Sequence, residues 1–198
     1  MRLYGTFTSP YVRRVRIVAL ELGMPIEMVD TTTDEGQAAM RAVNPLWKVP
    51  TVELDGSPIM DSRNITEHLL RIHGPGPLSA MGLDDVEAHN VYTVVDGVVD
   101  ALINTFYLAR DGIAGEQASY MQKQHERAAA GMAWLEQRVD DVWLTRERAF
   151  GLVEIALCTS VEWMRFRSTY PVQRHPALMR CVEHHAERPS LVKTRPPA

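Results

Sequence analysis

The run His73-Gly74-Pro75-Gly76-Pro77 limits the fold of this 198-residue chain more than any other feature. Two glycines that alternate with two prolines suit neither a helix interior nor a strand interior, so the run predicts a linker. Strand patterns occur only before it, and the patterns after it are helical. We therefore expect an α/β domain over residues 1–73, a linker over residues 74–83 and an all-helical domain over residues 84–198.

The first 73 residues predict alternating strands and helices. Strands are expected at residues 2–7, 26–29, 51–54 and 59–60, and helices at residues 10–22, 34–43 and 62–72. The helix between the first two strands makes them a parallel crossover unit, and the hairpin signal Asp55-Gly56 adds an antiparallel edge. Four sheet strands should therefore precede Gly74, and none should follow Pro77.

The remainder of the chain predicts helices alone. They are expected at residues 84–111, 116–140 and 152–167, with one last short helix after His175-Pro176. The Pro-rich tail from Lys193 to Ala198 is expected to be irregular.

Charge and composition exclude several kinds of partner. The net charge of −4 argues against nucleic acid, which favours a basic face, and we interpret the cluster Arg13, Arg14 and Arg16 as a solvated helix face. There is no apolar leader and no run of about 18 apolar residues, which predicts no membrane span and a cytoplasmic protein. Cys158 and Cys181 form no CxxC pair and the histidines form no metal motif, so we expect no metal.

Ser9-Pro10 marks the start of the first helix, because serine favours the N-cap and proline the first helical turn. A helix N-terminus carries a partial positive charge and free N–H groups, which stabilise an anion. A serine hydroxyl there can also donate a hydrogen bond to a thiolate and lower the pKa of the thiol. From the residues alone, a simple cap and an anion-stabilising role both remain open for Ser9.

Two later segments offer further binding groups. Lys48-Val49-Pro50-Thr51 precedes a strand, where a cis Val-Pro bond would expose the Val49 backbone to an extended peptide and a trans bond would be an ordinary strand opening. Asp61-Ser62 opens a helix with Ser62 as the expected N-cap. Such a start suits a carboxylate, and the aspartate suits an ammonium group. A plain capping motif is the alternative for this pair.

The order and spacing of these segments resemble one known family. The runs TSPYVRRVRIVALELG, NPLWKVPTVELDG and IMDSRNITEHL resemble the N-terminal domain of the glutathione transferases. The resemblance is strong over residues 1–73 and weaker beyond, and it looks closest to bacterial members related to the theta, zeta and omega classes. It implies a thioredoxin-like α/β N-terminal domain, an all-α C-terminal domain, glutathione as co-substrate and a homodimer.

The resemblance also implies roles for residues at matching positions. Ser9 would contact the glutathione sulfur as the catalytic residue, with Thr8 as the neighbouring alternative. The Val49 backbone would pair with the cysteinyl part of glutathione, with Pro50 cis. Tyr4 lies too early, within a strand, to match the tyrosine of the mammalian-type enzymes.

Other matching positions would complete the two substrate sites. Asp61 and Ser62 would hold the γ-glutamyl end of glutathione, and Lys48 would reach its glycyl carboxylate. A small hydrophobic electrophile would bind between the domains, against walls formed by Phe7, Tyr11, Tyr107, Trp163 and Phe166. The alternative is that these are core aromatics, for Trp163 above all.

Three departures from the family pattern bear on function. Trp47 stands where the family often has glycine, and Gly151 and Glu154 replace a Ser/Thr-x-x-Asp helix cap. No cysteine occurs at the start of the first helix, which disfavours thiol exchange. We therefore predict attack of a glutathione thiolate on an electrophile, in conjugation, dehalogenation or isomerisation. The alternatives are a glutathione-dependent disulfide or peroxide reductase and a non-catalytic glutathione-binding interaction module.

Overall fold

The computed structural model describes residues 1–113 and 118–196 of the chain. The first part contains β1 (Arg2–Gly5), α1 (Pro10–Glu21), β2 (Glu27–Asp30), α2 (Asp34–Val43), β3 (Thr51–Leu54), β4 (Ser57–Met60) and α3 (Ser62–His73). The second part contains α4 (Val86–Arg110), α5 (Ser119–Glu136), α6 (Leu152–Arg167), a short 3-10 helix (Val172–Arg174), α7 (Pro176–His185) and α8 (Pro189–Thr194).

The four strands form one mixed sheet in the order β2-β1-β3-β4. β1 and β2 are parallel, and β3 is antiparallel to both β1 and β4. This arrangement confirms the prediction of four strands before Gly74. Beyond Pro77, the described residues contain no strand and only isolated bridges, such as the one between Ser79 and Gly151.

Several predicted segments differ from the structure in their bounds. β1 ends at Gly5, because residues 6–9 already turn toward α1. The prediction of one last short helix was wrong, since α8 follows α7 and reaches two residues into the tail that we expected to be irregular. A long-range contact stabilises α8, because Arg13 of α1 donates a hydrogen bond of 3.1 Å to the Leu191 carbonyl. The start predicted for α5 falls partly on residues 114–117, outside the described residues.

The solvated arginine face predicted for α1 is wrong for two of its three members. Arg13 and Arg14 are each only 1% exposed, and Arg16 is half-buried. Arg13 forms an ion pair with Glu162 of α6 and donates a 3.2 Å hydrogen bond to the Thr194 hydroxyl of α8. α6 and α8 therefore cover the polar face of α1, which lies beside its apolar stripe.

α4 is the one helix of the described chain that is long and apolar enough to cross a membrane by length and composition alone. We expected no such segment from the sequence. Its most apolar 18-residue window is 44% buried in the fold, and it packs against α5 and α6. Val91, Val95, Val99 and Leu102 place its apolar face in the hydrophobic core. Core packing thus accounts for the apolar character of this face.

His185, at the end of α7, lies in a buried aromatic cluster. Its ring centroid is 4.9 Å from those of Trp143 and Phe150, and its side chain is 6% exposed. Burial, with smaller contributions from the neighbouring His184 and Arg188, lowers the pKa of His185 to about 4. The folded protein therefore resists protonation of this ring at a pH where the unfolded chain accepts it.

This lowered pKa predicts a loss of stability on acidification. Between about pH 6.5 and pH 4 the His185 side chain is protonated in the unfolded state and neutral in the folded state. The free energy of unfolding should therefore fall as the pH falls through this window. Urea unfolding at several pH values should show a shallower pH dependence in His185→Leu than in the wild type. His73→Leu, at an exposed position, is the matched control. Equal slopes in all three proteins would contradict the role of His185.

Candidate functional site

Three segments meet at one edge of the sheet. Tyr4, near the end of β1, lies beside Thr51 at the start of β3, and Thr51 lies beside Met60 at the end of β4. The turn after β1, the loop before β3 and the helix start after β4 therefore share this edge. Those segments carry the residues predicted to bind glutathione, which are Thr8, Ser9, Lys48, Val49, Pro50, Asp61 and Ser62.

Ser9 is the N-cap of α1, as its sequence predicted. Its backbone is extended, and its Oγ accepts a hydrogen bond of 3.3 Å from the Val12 N–H. A hydroxyl accepts with its lone pairs and donates with its proton, so this cap leaves the Ser9 O–H available as a donor. The half-buried hydroxyl stands at the positive end of a 12-residue helix, a setting that favours a bound anion.

Thr8 supplies a second hydroxyl next to Ser9. Its Oγ1 lies 3.4 Å from the Oγ1 of Thr6, and the side chain is half-buried. Ser9 differs from Thr8 because only the Ser9 hydroxyl caps α1 within the described residues. Which of the two contacts a sulfur atom stays a prediction.

The loop before β3 is organised by a residue that the sequence analysis missed as a site residue. Asn44 is 1% exposed, and its Nδ2 donates to the Lys48 carbonyl at 2.9 Å and to the Thr51 hydroxyl at 2.8 Å. Its Oδ1 accepts from the Leu46 N–H at 2.8 Å. One buried amide therefore ties the end of α2 to the start of β3. The available signal was the Asn-Pro step that ends the helix.

The Val49–Pro50 bond is cis, which confirms the prediction for this step. Val49 is half-buried, and within the described residues its backbone N–H and C=O have no hydrogen-bond partner. Lys48 is exposed beside it. The loop thus presents an unpaired main-chain segment and a cation at the shared edge.

Trp47 occupies a backbone conformation that favours glycine, the residue that the family pattern often has at this position. Its φ is +54°, in the left-handed region where glycine is favoured. The ring is 63% exposed, and the Arg41 guanidinium lies 4.9 Å from its centroid. The indole therefore rests on the surface of α2, and its cost is local backbone strain.

Asp61, not Ser62, is the N-cap of α3, which corrects the predicted cap. The Asp61 carboxylate accepts hydrogen bonds from the N–H groups of Arg63 at 2.9 Å and Asn64 at 3.2 Å. Its φ of +73° turns the chain sharply between β4 and α3. Ser62 is the first helical residue and is 2% exposed. The aspartate stays exposed, so its carboxylate remains open to a ligand.

Behind the site, Arg14 joins α1 to α4 and α6. It forms an ion pair with Asp96, and it donates to the Tyr92 hydroxyl at 3.4 Å and the Ser160 hydroxyl at 3.1 Å. Burial raises the pKa of Asp96 above its ordinary value, Arg14 opposes that rise, and nearby carboxylates including Asp61 add to it. The position of Arg14 at the margin of the apolar stripe of α1 was the sequence signal for this buried contact, and the sequence analysis missed it.

The aromatic residues predicted to line a second pocket divide into three groups. Phe7, Tyr107 and Phe166 are 40%, 57% and 40% exposed. Trp163 is 4% exposed and lies in the core, which agrees with the alternative that the sequence left open for it. Tyr11 is half-buried, and its hydroxyl donates to the Asp100 carboxylate.

Phe106 connects the exposed Tyr107 ring of α4 to the core, and the sequence analysis missed it. Its ring centroid lies 5.5 Å from that of Tyr107 and 5.9 Å from that of Trp163, both in edge-to-face geometry. Trp163 therefore supports the aromatic surface from behind.

The described residues contain no group of three or more His, Cys, Asp or Glu side chains placed to hold a metal ion. Both cysteines are buried and unpaired with one another. Burial raises the pKa of Cys158 well above its ordinary value and that of Cys181 to about 12. Neither thiol is therefore ready to ionise near neutral pH.

Comparison with known proteins agrees with the fold. The family model described as glutathione S-transferase, N-terminal domain, matches residues 3–77. The GST-like protein YibF of Escherichia coli K12 is 30% identical over 203 residues, covering 100% of this chain and 99% of that protein.

Solved structures extend the likeness to the whole chain. A glutathione S-transferase of Methylobacterium radiotolerans, in complex with glutathione sulfonate, is 29% identical with a TM-score of 0.85, covering 100% of this chain and 95% of that one. A glutathione S-transferase of Methylobacillus flagellatus with bound glutathione is 28% identical with a TM-score of 0.85, covering 99% of each chain. These matches confirm the predicted fold class, a thioredoxin-like α/β part followed by an all-helical part.

Proposed function

This chain belongs to the glutathione S-transferase family, and on that basis we propose that it activates the glutathione thiolate with Ser9 for attack on a small hydrophobic electrophile. The observation that carries the proposal is that the Ser9 hydroxyl can accept one hydrogen bond and donate another at the same time. Its oxygen caps α1 while its O–H stays free to donate to a sulfur anion at the helix N-terminus. The two similar structures that hold glutathione or its sulfonate support the choice of ligand.

The shared edge offers a group for each part of glutathione. We assign the γ-glutamyl end to Asp61 and Ser62, since a carboxylate and a helix start complement an ammonium and a carboxylate. The unpaired Val49 backbone, next to Pro50, suits the cysteinyl main chain. The exposed Lys48 suits the glycyl carboxylate, and Thr8 stands beside Ser9 as a second donor.

The proposed reaction begins when glutathione loses its thiol proton to solvent in the site. The Ser9 O–H and the N–H groups of α1 stabilise the resulting thiolate. The sulfur then forms a bond to an electrophilic carbon, and the leaving group departs with the electron pair of the broken bond. In isomerisation there is no leaving group at this step: the sulfur adds to one carbon of a double bond, and the π electron pair moves onto a conjugated carbonyl group. After rotation about the resulting single bond the electron pair returns, the thiolate departs and the double bond re-forms with changed geometry. Conjugation, dehalogenation and isomerisation all share the first step.

The buried thiols favour this chemistry over disulfide or peroxide reduction by an enzyme cysteine. Burial raises the pKa of both Cys158 and Cys181, so neither supplies a thiolate for exchange. The intact set of proposed glutathione contacts favours catalysis over a purely interacting module.

Retention on immobilised glutathione, followed by elution with free glutathione, tests the proposal. We expect retention of the wild type and, once eluted, turnover of at least one activated aryl halide in the presence of glutathione. A protein that flows through the column, and whose unfolding temperature free glutathione leaves unchanged, would rule out the proposed function.

Asp61→Asn should raise the KM for glutathione about tenfold and leave kcat nearly unchanged. The amide retains an acceptor for the cap of α3 and tolerates a positive φ, so the loss is mainly the charge facing the ammonium group. This contact lies far from the sulfur, and binding that is equal in ground and transition states affects KM alone. Steady-state kinetics measure both constants.

The matched control for this variant is Asp85→Asn at the N-cap of α4, where the carboxylate accepts from the Ala88 N–H at 2.9 Å. It makes the same chemical change at another helix start and should leave the KM unchanged. An unaltered KM in Asp61→Asn would remove Asp61 from the glutathione site.

We also propose the domain boundaries, the cellular location and the oligomeric state of the protein. The domains would span residues 1–73 and 84–198, with residues 74–83 as the linker, and the protein would act as a cytoplasmic homodimer. The family resemblance supports the dimer. Light scattering coupled to size-exclusion chromatography should give twice the chain mass of 22.3 kDa.

A further inference from the structure

Two arginines flank an aromatic surface formed by Phe106, Tyr107 and Phe166 at the ends of α4 and α6. The guanidinium of Arg167 lies 4.5 Å from the ring centroid of Phe166 and 5.4 Å from that of Phe106. The guanidinium of Arg110 lies 5.9 Å from the centroids of Phe106 and Tyr107. Two cations therefore share one aromatic ring, and within residues 1–113 and 118–196 neither forms a salt bridge.

Arg167 carries a second sign of an unmet interaction. Its Nε is fully buried and has no hydrogen-bond partner within the described residues. A buried donor without a partner is unfavourable. An anion bound by these guanidinium groups would give the Arg167 donor a partner and would balance the positive charge beside the Phe106 ring.

These arginines lie on the side of the fold where a second substrate would meet the sulfur. Asp100 of α4 accepts from Tyr11 near the start of α1, and Asp96 pairs with Arg14 further along α1, so α4 runs toward the Ser9 end. At a rise of about 1.5 Å per residue, Arg110 lies about 15 Å beyond Asp100 along the helix axis.

α6 runs the same way as α4. Ser160 accepts from Arg14, and Trp163, three residues later, meets Phe106 of α4. The C-terminal ends of both helices therefore lie toward the N-terminus of α1, the end that carries Ser9.

We propose that the electrophile carries a carboxylate on an apolar or aromatic body, with the carboxylate bound by Arg167 and Arg110. This inference rests on the proposed function, since it names the class of the second substrate. The aromatic surface packs against the body of the electrophile, and the planar fork of Arg167 offers its donors to the anion. The carboxylate then fixes the electrophilic carbon toward the sulfur.

A matched pair of electrophiles isolates the charge. A chloronitrobenzoate and the corresponding chloronitrobenzamide differ only in the carboxylate, and in both the C–Cl bond breaks as the C–S bond forms, with chloride carrying away the electron pair. Each kcat/KM is divided by the rate of the same electrophile with glutathione in buffer. The wild type should favour the acid by about tenfold or more, the scale of a hydrogen bond to a charged group.

Variants of Arg167 test whether this residue causes the preference for the acid over the amide. Arg167→Gln should lower the normalised kcat/KM of the acid at least about tenfold and leave that of the amide within about twofold, while Arg167→Lys should restore part of the loss. Arg165→Gln is the matched control, because it removes the same charge from an exposed position on the same helix. Equal losses for acid and amide, or equal effects of the two glutamine variants, would overturn the proposal.

Binding of the two S-aryl glutathione products supplies a readout that needs no turnover. Calorimetry should show tighter binding of the carboxylate product than of the amide product in the wild type, and equal binding in Arg167→Gln. If glutathione binds and the two products bind equally to the wild type, this inference fails while the proposed function stands. If glutathione itself does not bind, the proposed function fails and this inference fails with it.

Discussion

Arg14→Met should lower the free energy of unfolding by about 3 kcal/mol, a large part of the stability of a protein of this size. The variant removes a buried guanidinium that joins α1 to Asp96 of α4 and to Ser160 of α6. Methionine replaces much of the volume, so the main loss is the compensation of the Asp96 charge. The Asp96 side chain is 27% exposed, which places the cost at the lower end of the range for a broken buried pair.

The size of this loss should depend on pH in a direction that identifies its cause. Burial already raises the pKa of Asp96, and removing Arg14 removes the main opposing influence, so the pKa rises further. A carboxyl whose pKa is higher in the folded state than in the unfolded state stabilises the fold at low pH. That contribution is lost as the pH rises through the folded value. Arg14→Met should therefore be closer to wild type at pH 5 than at pH 8.

Two comparisons make the result specific. Arg14→Met combined with Asp96→Leu should recover much of the lost stability, because it leaves no unpaired charge. Arg2→Met breaks exposed pairs with Glu27 and Glu53 and should destabilise the protein far less than Arg14→Met, because exposed ion pairs contribute little to stability. Urea unfolding of all four proteins at both pH values measures these terms. If Arg14→Met is no less stable than Arg2→Met, Arg14 does not hold α1 against the later helices.

The elements that local chemistry specifies were predictable from the sequence. Ser9-Pro10 starts α1 and Asp55-Gly56 turns β3 into β4, because capping and tight turns depend on residues only a few positions apart. The Gly74 region separates the strands from the later helices for the same reason. The edge carrying the proposed site followed from the order of these local signals.

What escaped prediction depends on contacts between distant parts of the chain. Arg13 and Arg14 are buried because α6 and α8 cover them, and no local pattern encodes that cover. α8 is a short helix stabilised by contacts with α1, which propensity alone does not reveal. Asn44 acts through side-chain hydrogen bonds to Lys48 and Thr51. Both partners lie beyond the end of α2, so the helix pattern does not reveal this role.

Ser9→Gly should lower kcat/KM with glutathione by at least about tenfold while leaving the fold nearly as stable as the wild type. Glycine is a usable N-cap and costs only a few tenths of a kcal/mol there, whereas alanine costs about 0.5–2 kcal/mol. Both variants lack the hydroxyl, which as a donor to a charged group contributes about 1.5–3 kcal/mol. Ser9→Ala should thus match Ser9→Gly in activity and fall below it in melting temperature.

Thr33→Ala separates a lost cap from a lost catalyst at another helix. The Thr33 hydroxyl accepts from the Gly36 N–H at 3.0 Å and caps α2, a different helix from the one that Ser9 caps. Its loss should lower the melting temperature about as much as Ser9→Ala does and leave kcat/KM unchanged. Reduced activity in Thr33→Ala would mean that stability alone governs the assay.

The pKa of the bound glutathione thiol decides whether the Ser9 hydroxyl stabilises the thiolate. A donor to the charged form lowers the thiol pKa, so removing it should raise that pKa by about one unit or more and move the pH–rate profile to higher pH. Ultraviolet absorbance of the thiolate, followed across pH, measures this value directly. Ser9→Thr keeps the hydroxyl and should stay near the wild type, and Thr8→Val tests the neighbouring donor. If the pKa shifts in Thr8→Val and not in Ser9→Gly, the activating hydroxyl belongs to Thr8; if it shifts in neither, the N–H groups of α1 carry the activation.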